Sequence, residues 1–381
     1  MTVGLAVRVV RGLEWVAADE VATELEASSV VAEMRQVTFT LPEVVAGVGE
    51  LRCADDAFVR VGVVRGVGRD RAAPLLLARA AATLDVGGAL DALRSIRHLP
   101  ARPAFDVVAS VEGDRRFNRY AVEDALGEAL SPVLAGTYGS RRSAPPPPGD
   151  VSVRVALCGE RASVMVRIGA RPLHRRPWKL DTAAATLHPP VAAALVRLVG
   201  PVERVIDPFC GDGTILIEAG LGGRAPSLLG GDLDRSRLVN AGRNARRAGI
   251  SVGLCVADAT AGPWRSQAGA AWITNPPWGD AARPAGGVVG GLHRAWRQAG
   301  RSLGPGGILA VIADGDIDLE ASLLAARWRP VVAQSIRLVG RVCRLAVAVG
   351  GDGVPGGVLS DSLRAWQRRA GQAGVVAGTA F

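Results

Sequence analysis

The sequence predicts an α/β protein: a doubly wound parallel sheet in the second half, preceded by α+β units in the first. Three observations predict it. Short apolar runs alternate with helical segments between residues 202 and 313, the pattern of repeated strand–helix units on a parallel sheet. Four of those runs end on polar residues, Asp207, Asp232, Asp258 and Asn275, and such sheets bind ligands beyond the carboxyl ends of their strands. The first 64 residues instead read strand–helix–strand–strand–helix–strand, the order of a ferredoxin-like unit.

The elements follow in order. Val3–Val10 alternates as a strand, and Leu13–Leu25 has helical spacing. Val30–Leu41 divides into two strands about a turn near Met34, Pro42–Leu51 reads as a helix and Phe58–Val64 as a strand. Helices are expected over Pro74–Leu84, Ala89–Ile96 and Val122–Leu134, with a strand at Phe105–Val111. Pro145 to Pro148 form a stiff extended loop. Val151–Leu157 and Ala162–Ile168 make a hairpin. In the second half, strands at Val202–Ile206, Leu228–Gly231, Val252–Ala257 and Ala271–Thr274 are separated first by helices at Thr214–Gly220 and Arg235–Ala248. Val288–Leu303 reads as a helix, Gly304–Gly307 as a turn and Ile308–Ala313 as a strand, with a terminal hairpin at Val332–Val339 and Val342–Val349. Asp361–Arg369 has amphipathic spacing, but glycine enrichment after Gly350 predicts a mobile tail.

Asn275-Pro276-Pro277-Trp278 carries the chemistry. An amide oxygen on Asn275 accepts a hydrogen bond from an exocyclic amine. Pro276 fixes a turn that offers a backbone carbonyl as second acceptor. Trp278 supplies a ring for stacking. Two acceptors holding both amine hydrogens would leave the nitrogen lone pair aimed out of plane at an electrophile. The segment Asp207-Pro208-Phe209-Cys210-Gly211-Asp212-Gly213-Thr214 joins a strand to a helix. It lacks the third glycine of a dinucleotide fingerprint, and a carboxylate at the strand end suits a cationic ligand such as the ammonium of an amino acid. Asp232 is placed for the two hydroxyls of a ribose, and Asp258 for an adenine amine.

On those residues, 187–350 resembles the class I S-adenosylmethionine-dependent methyltransferases that methylate amines. Asp207–Thr214 matches the first motif of that family, and Asn275–Trp278 its Asn-Pro-Pro-aromatic catalytic motif. The resemblance implies S-adenosylmethionine as cofactor. Asp207 and Gly211 would border its methionine part within the loop holding Phe209, Gly213 and Thr214, with Asp232 at the ribose, Asp258 at the adenine and Asn275 at the methyl group. Relatives more often carry Tyr or Phe where this chain has Trp278, which keeps stacking but enlarges the ring. Asp280 is a rim residue that could accept the leaving proton.

The motif serves several acceptor amines, so the rest of the chain must choose. The net charge is +9. Residues 101–200 carry 14 basic and 9 acidic side chains, net +5, whereas residues 1–100 carry 11 and 13. Two clusters mix cations with rings: Arg115, Arg116 and Arg119 with Phe117 and Tyr120, and Arg171, His174, Arg175, Arg176 and Lys179 with Trp178. Guanidinium groups grip phosphates and rings stack on bases. Gly12-Leu13-Glu14 resembles the opening of the ferredoxin-like domain found beside THUMP domains. Phe117–Leu126, the 151–168 strand pair and Pro172–Arg176 resemble a THUMP domain and its exit linker. The implied organisation is a ferredoxin-like domain at 1–70, an RNA-binding THUMP-like domain at 71–169, a basic linker at 170–186, a methyltransferase domain at 187–350 and a tail at 351–381. The whole resembles the guanine-N2 methyltransferases of the tRNA acceptor stem, and next the 23S rRNA guanine-N2 enzymes. A DNA adenine-N6 methyltransferase and a non-catalytic RNA-binding protein with a decayed pocket stay open as rival readings.

Five scattered cysteines without paired ligand spacing fit a reducing cytoplasm and argue against a zinc site. No His-x-x-x-His pattern points to another metal. No uncharged apolar run is long enough for a membrane span, and Met1–Val10 reads as a strand rather than a signal peptide.

Overall fold

The computed structural model describes residues 2–142, 149–183, 185–264, 270–278, 283–338, 340–351 and 358–375. In chain order its strands and α-helices are β1 Val3–Arg8, α1 Glu14–Glu24, β2 Ser28–Glu33, β3 Gln36–Leu41, β4 Asp56–Arg65, α2 Ala73–Ala80, α3 Val86–Arg94, β5 Ala104–Val111, α4 Arg119–Leu134, β6 Thr137–Tyr138, β7 Val151–Cys158 and β8 Arg161–Arg167. The second half runs α5 Pro189–Val199, β9 Arg204–Asp207, α6 Thr214–Leu221, β10 Ser227–Asp232, α7 Arg235–Ala248, β11 Gly253–Val256, β12 Ala270–Thr274, α8 His293–Leu303, β13 Ile308–Asp314, α9 Leu319–Ala325, β14 Trp328–Leu338, β15 Arg341–Gly350 and α10 Asp361–Gln372. The proline run and Asp280 lie outside the described residues.

The first half builds one eight-stranded sheet, β2-β3-β1-β4-β8-β7-β5-β6. Its first four strands pair antiparallel, with β1 between β3 and β4, as a ferredoxin-like unit requires. The helix expected at Pro42–Leu51 is instead a short 3-10 turn, Ala46–Glu50. Gly47 and Gly49 weaken an α-helix there. The boundary drawn at residue 70 does not interrupt the sheet, because β4 pairs with β8. Alternation explains the layers: Leu5, Val7, Val59, Val153 and Val155 are buried beneath the helices, and their neighbours along each strand point to the other face.

The second half is a seven-stranded sheet, β11-β10-β9-β12-β13-β15-β14. The first five strands are parallel and the last two antiparallel, so the doubly wound prediction holds. Strand order reverses between β9 and β12. Their carboxyl ends are where a crevice opens in such a sheet.

The halves are docked, not merely tethered. Trp15 is fully buried and its indole donates to Gln334 of β14 at 3.0 Å. Gln334 returns a bond to the Gly12 carbonyl. Gly12 has φ +100, and a Cβ there would meet the Ser335 carbonyl at 2.6 Å, so only glycine lets the two backbones approach.

The expected mobile tail is corrected over 358–375. Asp361–Gln372 is a helix with a Ser360 cap. It packs on α1 and buries Leu363, Trp366 and Ala370. Burial of that apolar face outweighs the glycine-rich composition around it.

Candidate active site

β9 delivers Asp207 to the crevice, and the chain turns through Gly211 and Gly213 into α6. Gly211 (φ +50) and Gly213 (φ +82) both need the left-handed region. They serve differently. Gly211 lies in the wall of a cavity of about 250 Å³. Gly213 does not: a Cβ there would meet Ala241 at 3.0 Å, so it lets α6 pack close to α7.

Asp207, Phe209, Gly211, Thr214, Asp232, Asp258, Asn275 and Pro276 all line that one cavity. The structure thus gathers seven of the eight expected cofactor residues with the proline. Asp207 is 1 % exposed. It accepts from the Thr274 hydroxyl at 2.7 Å and the Phe209 amide at 3.2 Å. Burial pushes its carboxyl up to about 7, against the pull of those two bonds, and nearby Asp232 adds to the rise. Asp232 takes the Gly211 and Asp234 amides on separate oxygens, each at 2.9 Å. Each oxygen keeps a lone pair for a ligand hydroxyl. Asp258 accepts from the Thr260 amide and hydroxyl and from the Gly287 amide. Burial opposes its ionisation, but those bonds prevail and hold it below the usual carboxylate range.

The loop carrying that last bond was not legible in the sequence. Gly286 has φ +64, and a Cβ there would fall 2.3 Å from Asp258. Arg283 and Ala285 of the same loop line the cavity. A glycine pair between Arg283-Pro284-Ala285 and two valines was the only signal.

Asn275 leaves β12 at the mouth. Its Oδ1 accepts from the Trp278 indole at 2.8 Å. The Arg341 guanidinium lies 5.7 Å from the Trp278 ring centroid. Trp278 does not line the cavity.

The expected RNA-facing cations divide into two groups. Arg176 bonds Glu218 at 2.9 Å and the Leu173 and Arg52 carbonyls. Glu218 also pairs with Arg52 at 2.5 Å and is buried. Arg176 therefore pins the linker to α6 and is not free to grip phosphate. Lys179 bonds the Leu187 carbonyl, and burial pushes its pKa down to about 8. His174 hydrogen-bonds the Asp55 carbonyl at 3.1 Å and lies beside His188. Arg115 clamps the Val67, Gly68, Glu112 and Gly159 carbonyls. These four are structural fasteners. Trp178, expected as a stacking ring, is buried against Ile217 and Ala245. Arg171, Arg175, Arg116 and Arg119 remain exposed, although Arg119 lies over Tyr120 and bonds its hydroxyl, and Arg116 faces Asp70 at 4.0 Å. A second cavity of about 780 Å³ runs under the linker, with Arg171 and Arg175 in its wall.

The sequence reading missed the exposed cations Arg11, Arg35, Arg337 and Arg341. Arg11 bridges Arg337 in antiparallel register, the Arg35 carbonyl accepts from Val9 at 3.1 Å, and Arg341 reaches Trp278. All four arginines are exposed. They are scattered in sequence, so no local cluster announced them.

Among the described residues no group of three or more His, Cys, Asp or Glu side chains is placed to hold a metal ion. Among the same residues no single helix is long and apolar enough to cross a membrane.

Comparison with known proteins agrees with this geometry. The UPF0020 family model, an RMKL-like methyltransferase domain, matches residues 176–342. A tRNA (guanine(6)-N2)-methyltransferase of Thermus thermophilus is 36% identical over 217 residues, covering 55% of this chain and 62% of its own length. A tRNA (guanine(10)-N2)-dimethyltransferase of Methanothermobacter thermautotrophicus is 33% identical over 162 residues, covering 42% of this chain and 46% of its own. The chain thus spans less than two thirds of either relative. The crystal structure of TrmN from Thermus thermophilus superposes with a TM-score of 0.71 at 27% identity, covering 92% of this chain and all of that one.

Proposed function

We propose that this protein, whose residues 176–342 match the RMKL-like methyltransferase family model, methylates the N2 amine of a guanine in tRNA, in the acceptor stem, using S-adenosylmethionine. One observation carries the reading. Asp207 and Asn275 end the two strands that flank the reversal of strand order, and both line one cavity with Asp232 and Asp258. The guanine-N2 activities of the two similar tRNA enzymes support the choice of base.

The residues present fit the cofactor. A left-handed glycine brings backbone into the cavity wall, one strand-end carboxylate suits an ammonium, another suits hydroxyls, and a third suits an aromatic amine. When bound, S-adenosylmethionine supplies an electrophilic methyl group. The rest falls to the chain. Asn275 Oδ1 accepts one hydrogen of the target amine and the Pro276 carbonyl the other, which orients the nitrogen lone pair for attack. Positioning supplies most of the rate, because both reactants are held in attack geometry. The base reaches the site by flipping from its helix, at a cost of a few kcal/mol. Arg171 and Arg175, exposed in the wall of the second cavity, supply phosphate contacts that weaken with salt. The five free thiols support action in a reducing compartment, the cytoplasm.

Asn275→Ala tests the reading. Methyl transfer to tRNA falls by about 10²-fold or more, the scale of losing one transition-state contact, while calorimetric affinity for S-adenosylmethionine stays within about threefold. Unchanged turnover rejects the role of Asn275. Absence of binding heat in the wild-type protein favours a decayed pocket instead, and transfer to DNA alone moves the substrate from RNA.

A further inference from the structure

We propose that Trp278 acts through Asn275 as a positioning residue: its indole N–H fixes the Asn275 amide, and Arg341 with Asp314 fixes Trp278. The inference rests on the reading of Asn275 as acceptor for the target amine.

The indole nitrogen is a donor only. Its partner on Asn275 at 2.8 Å is therefore the amide oxygen, which settles the two ends of an amide that are otherwise hard to tell apart. A carbonyl oxygen has two lone pairs. One takes the indole proton and the other is left for the target amine. The backbone on either side of Asn275 is already held, since Thr274 is fully buried and Pro276 is a buried imino acid. The side-chain torsions of Asn275 are the freedom that remains, and the indole bond removes it.

Trp278 is held in turn. The Arg341 guanidinium lies 5.7 Å from its ring centroid, within reach of a cation–π attraction. Arg341 pairs with Asp314 at 3.1 Å. Asp314 ends β13, and Arg341 opens β15 beside it. The line Asp314, Arg341, Trp278, Asn275 ties the catalytic amide to β13 and β15, where the parallel strands give way to antiparallel ones. With Arg341 over its ring and no place in the cavity wall, Trp278 is better placed to orient Asn275 than to stack on the target base. A phenylalanine offers no N–H for this bond.

Two measurements test it. In steady-state transfer to tRNA, Trp278→Phe lowers kcat about tenfold, the scale of one lost hydrogen bond, and leaves KM for RNA within about twofold. Trp278→Ala falls little further. Full kcat in Trp278→Phe together with loss in Trp278→Ala overturns the inference and restores the stacking role. The second measurement needs no turnover. With nitrogen-15 tryptophan in the full chain, the indole resonance missing in Trp278→Phe exchanges slowly in the wild type. It shifts and exchanges faster in Asn275→Ala. An unchanged resonance in Asn275→Ala overturns the contact. A wild-type protein that transfers no methyl group refutes the functional reading alone, since the resonance still judges the contact.

Discussion

Asp207 shows how one buried carboxylate couples the site to pH. Its folded pKa, about 7, lies above the ordinary value of 3.8. Its contribution to stability is therefore full below pH 3.8 and is lost as the pH rises through about 7. A ligand ammonium beside it favours the ionised form. Affinity for S-adenosylmethionine should accordingly rise as pH climbs from 6 to 8, and Asp207→Asn should flatten that profile; calorimetric titration across the range checks both, and a profile unchanged by the substitution would remove Asp207 from the ammonium site. The positions of the strand-end residues were legible in the sequence because a polar residue ending an apolar run is a local pattern. Their partners were not. The Thr274 bond to Asp207 spans 67 residues, and the bond that locks Asp258 comes from a loop 29 residues on. The Trp278 bond to Asn275 lies within three residues, yet its direction depends on a rotamer that sequence does not specify.

Regular elements were read well where their period was unambiguous. Arg235–Ala248 is the helix expected, capped by Asp234 and closed by Gly249. The fully buried helix α5 was missed, because an apolar run without a polar face shows no amphipathic period. The linker was misread for a different reason. Cations mixed with rings look alike whether solvated or docked, and Arg176 is docked. Arg176→Ala should cost about 2 kcal/mol of stability, as a hydrogen-bonded charge is lost beside buried Glu218. It should leave the salt dependence of RNA binding unchanged, whereas Arg175→Glu should shallow that dependence with little effect on stability. Denaturant titration and filter binding separate the two; a reversed pattern would return Arg176 to the RNA path. The tail was misread because composition hid an apolar face. Trp366→Ala should destabilise by about 3 kcal/mol, within the range for large-to-small core changes, and a thermal midpoint unchanged by it would show that α10 does not hold α1.

The molecule as a whole is a largely parallel seven-stranded sheet docked on a second, eight-stranded sheet. Trp15 and Gln334 fasten the halves across 319 residues, so under the proposed function an RNA gripped by one half would meet the other at a set span. That docking supports the proposal of a structured substrate. The order of most strands and helices was legible in advance. The docking of the halves was not, because Gly12 and Gln334 carry no sign of each other in a linear chain. The central claim is the transfer of a methyl group to guanine N2 in tRNA. The most direct measurement is mass spectrometry of nucleosides from unmodified tRNA incubated with the purified protein and S-adenosylmethionine. The account predicts N2-methylguanosine from the wild-type protein and none from Asn275→Ala. A methylated adenosine or cytidine, or N2-methylguanosine formed on ribosomal RNA but not on tRNA, would contradict it.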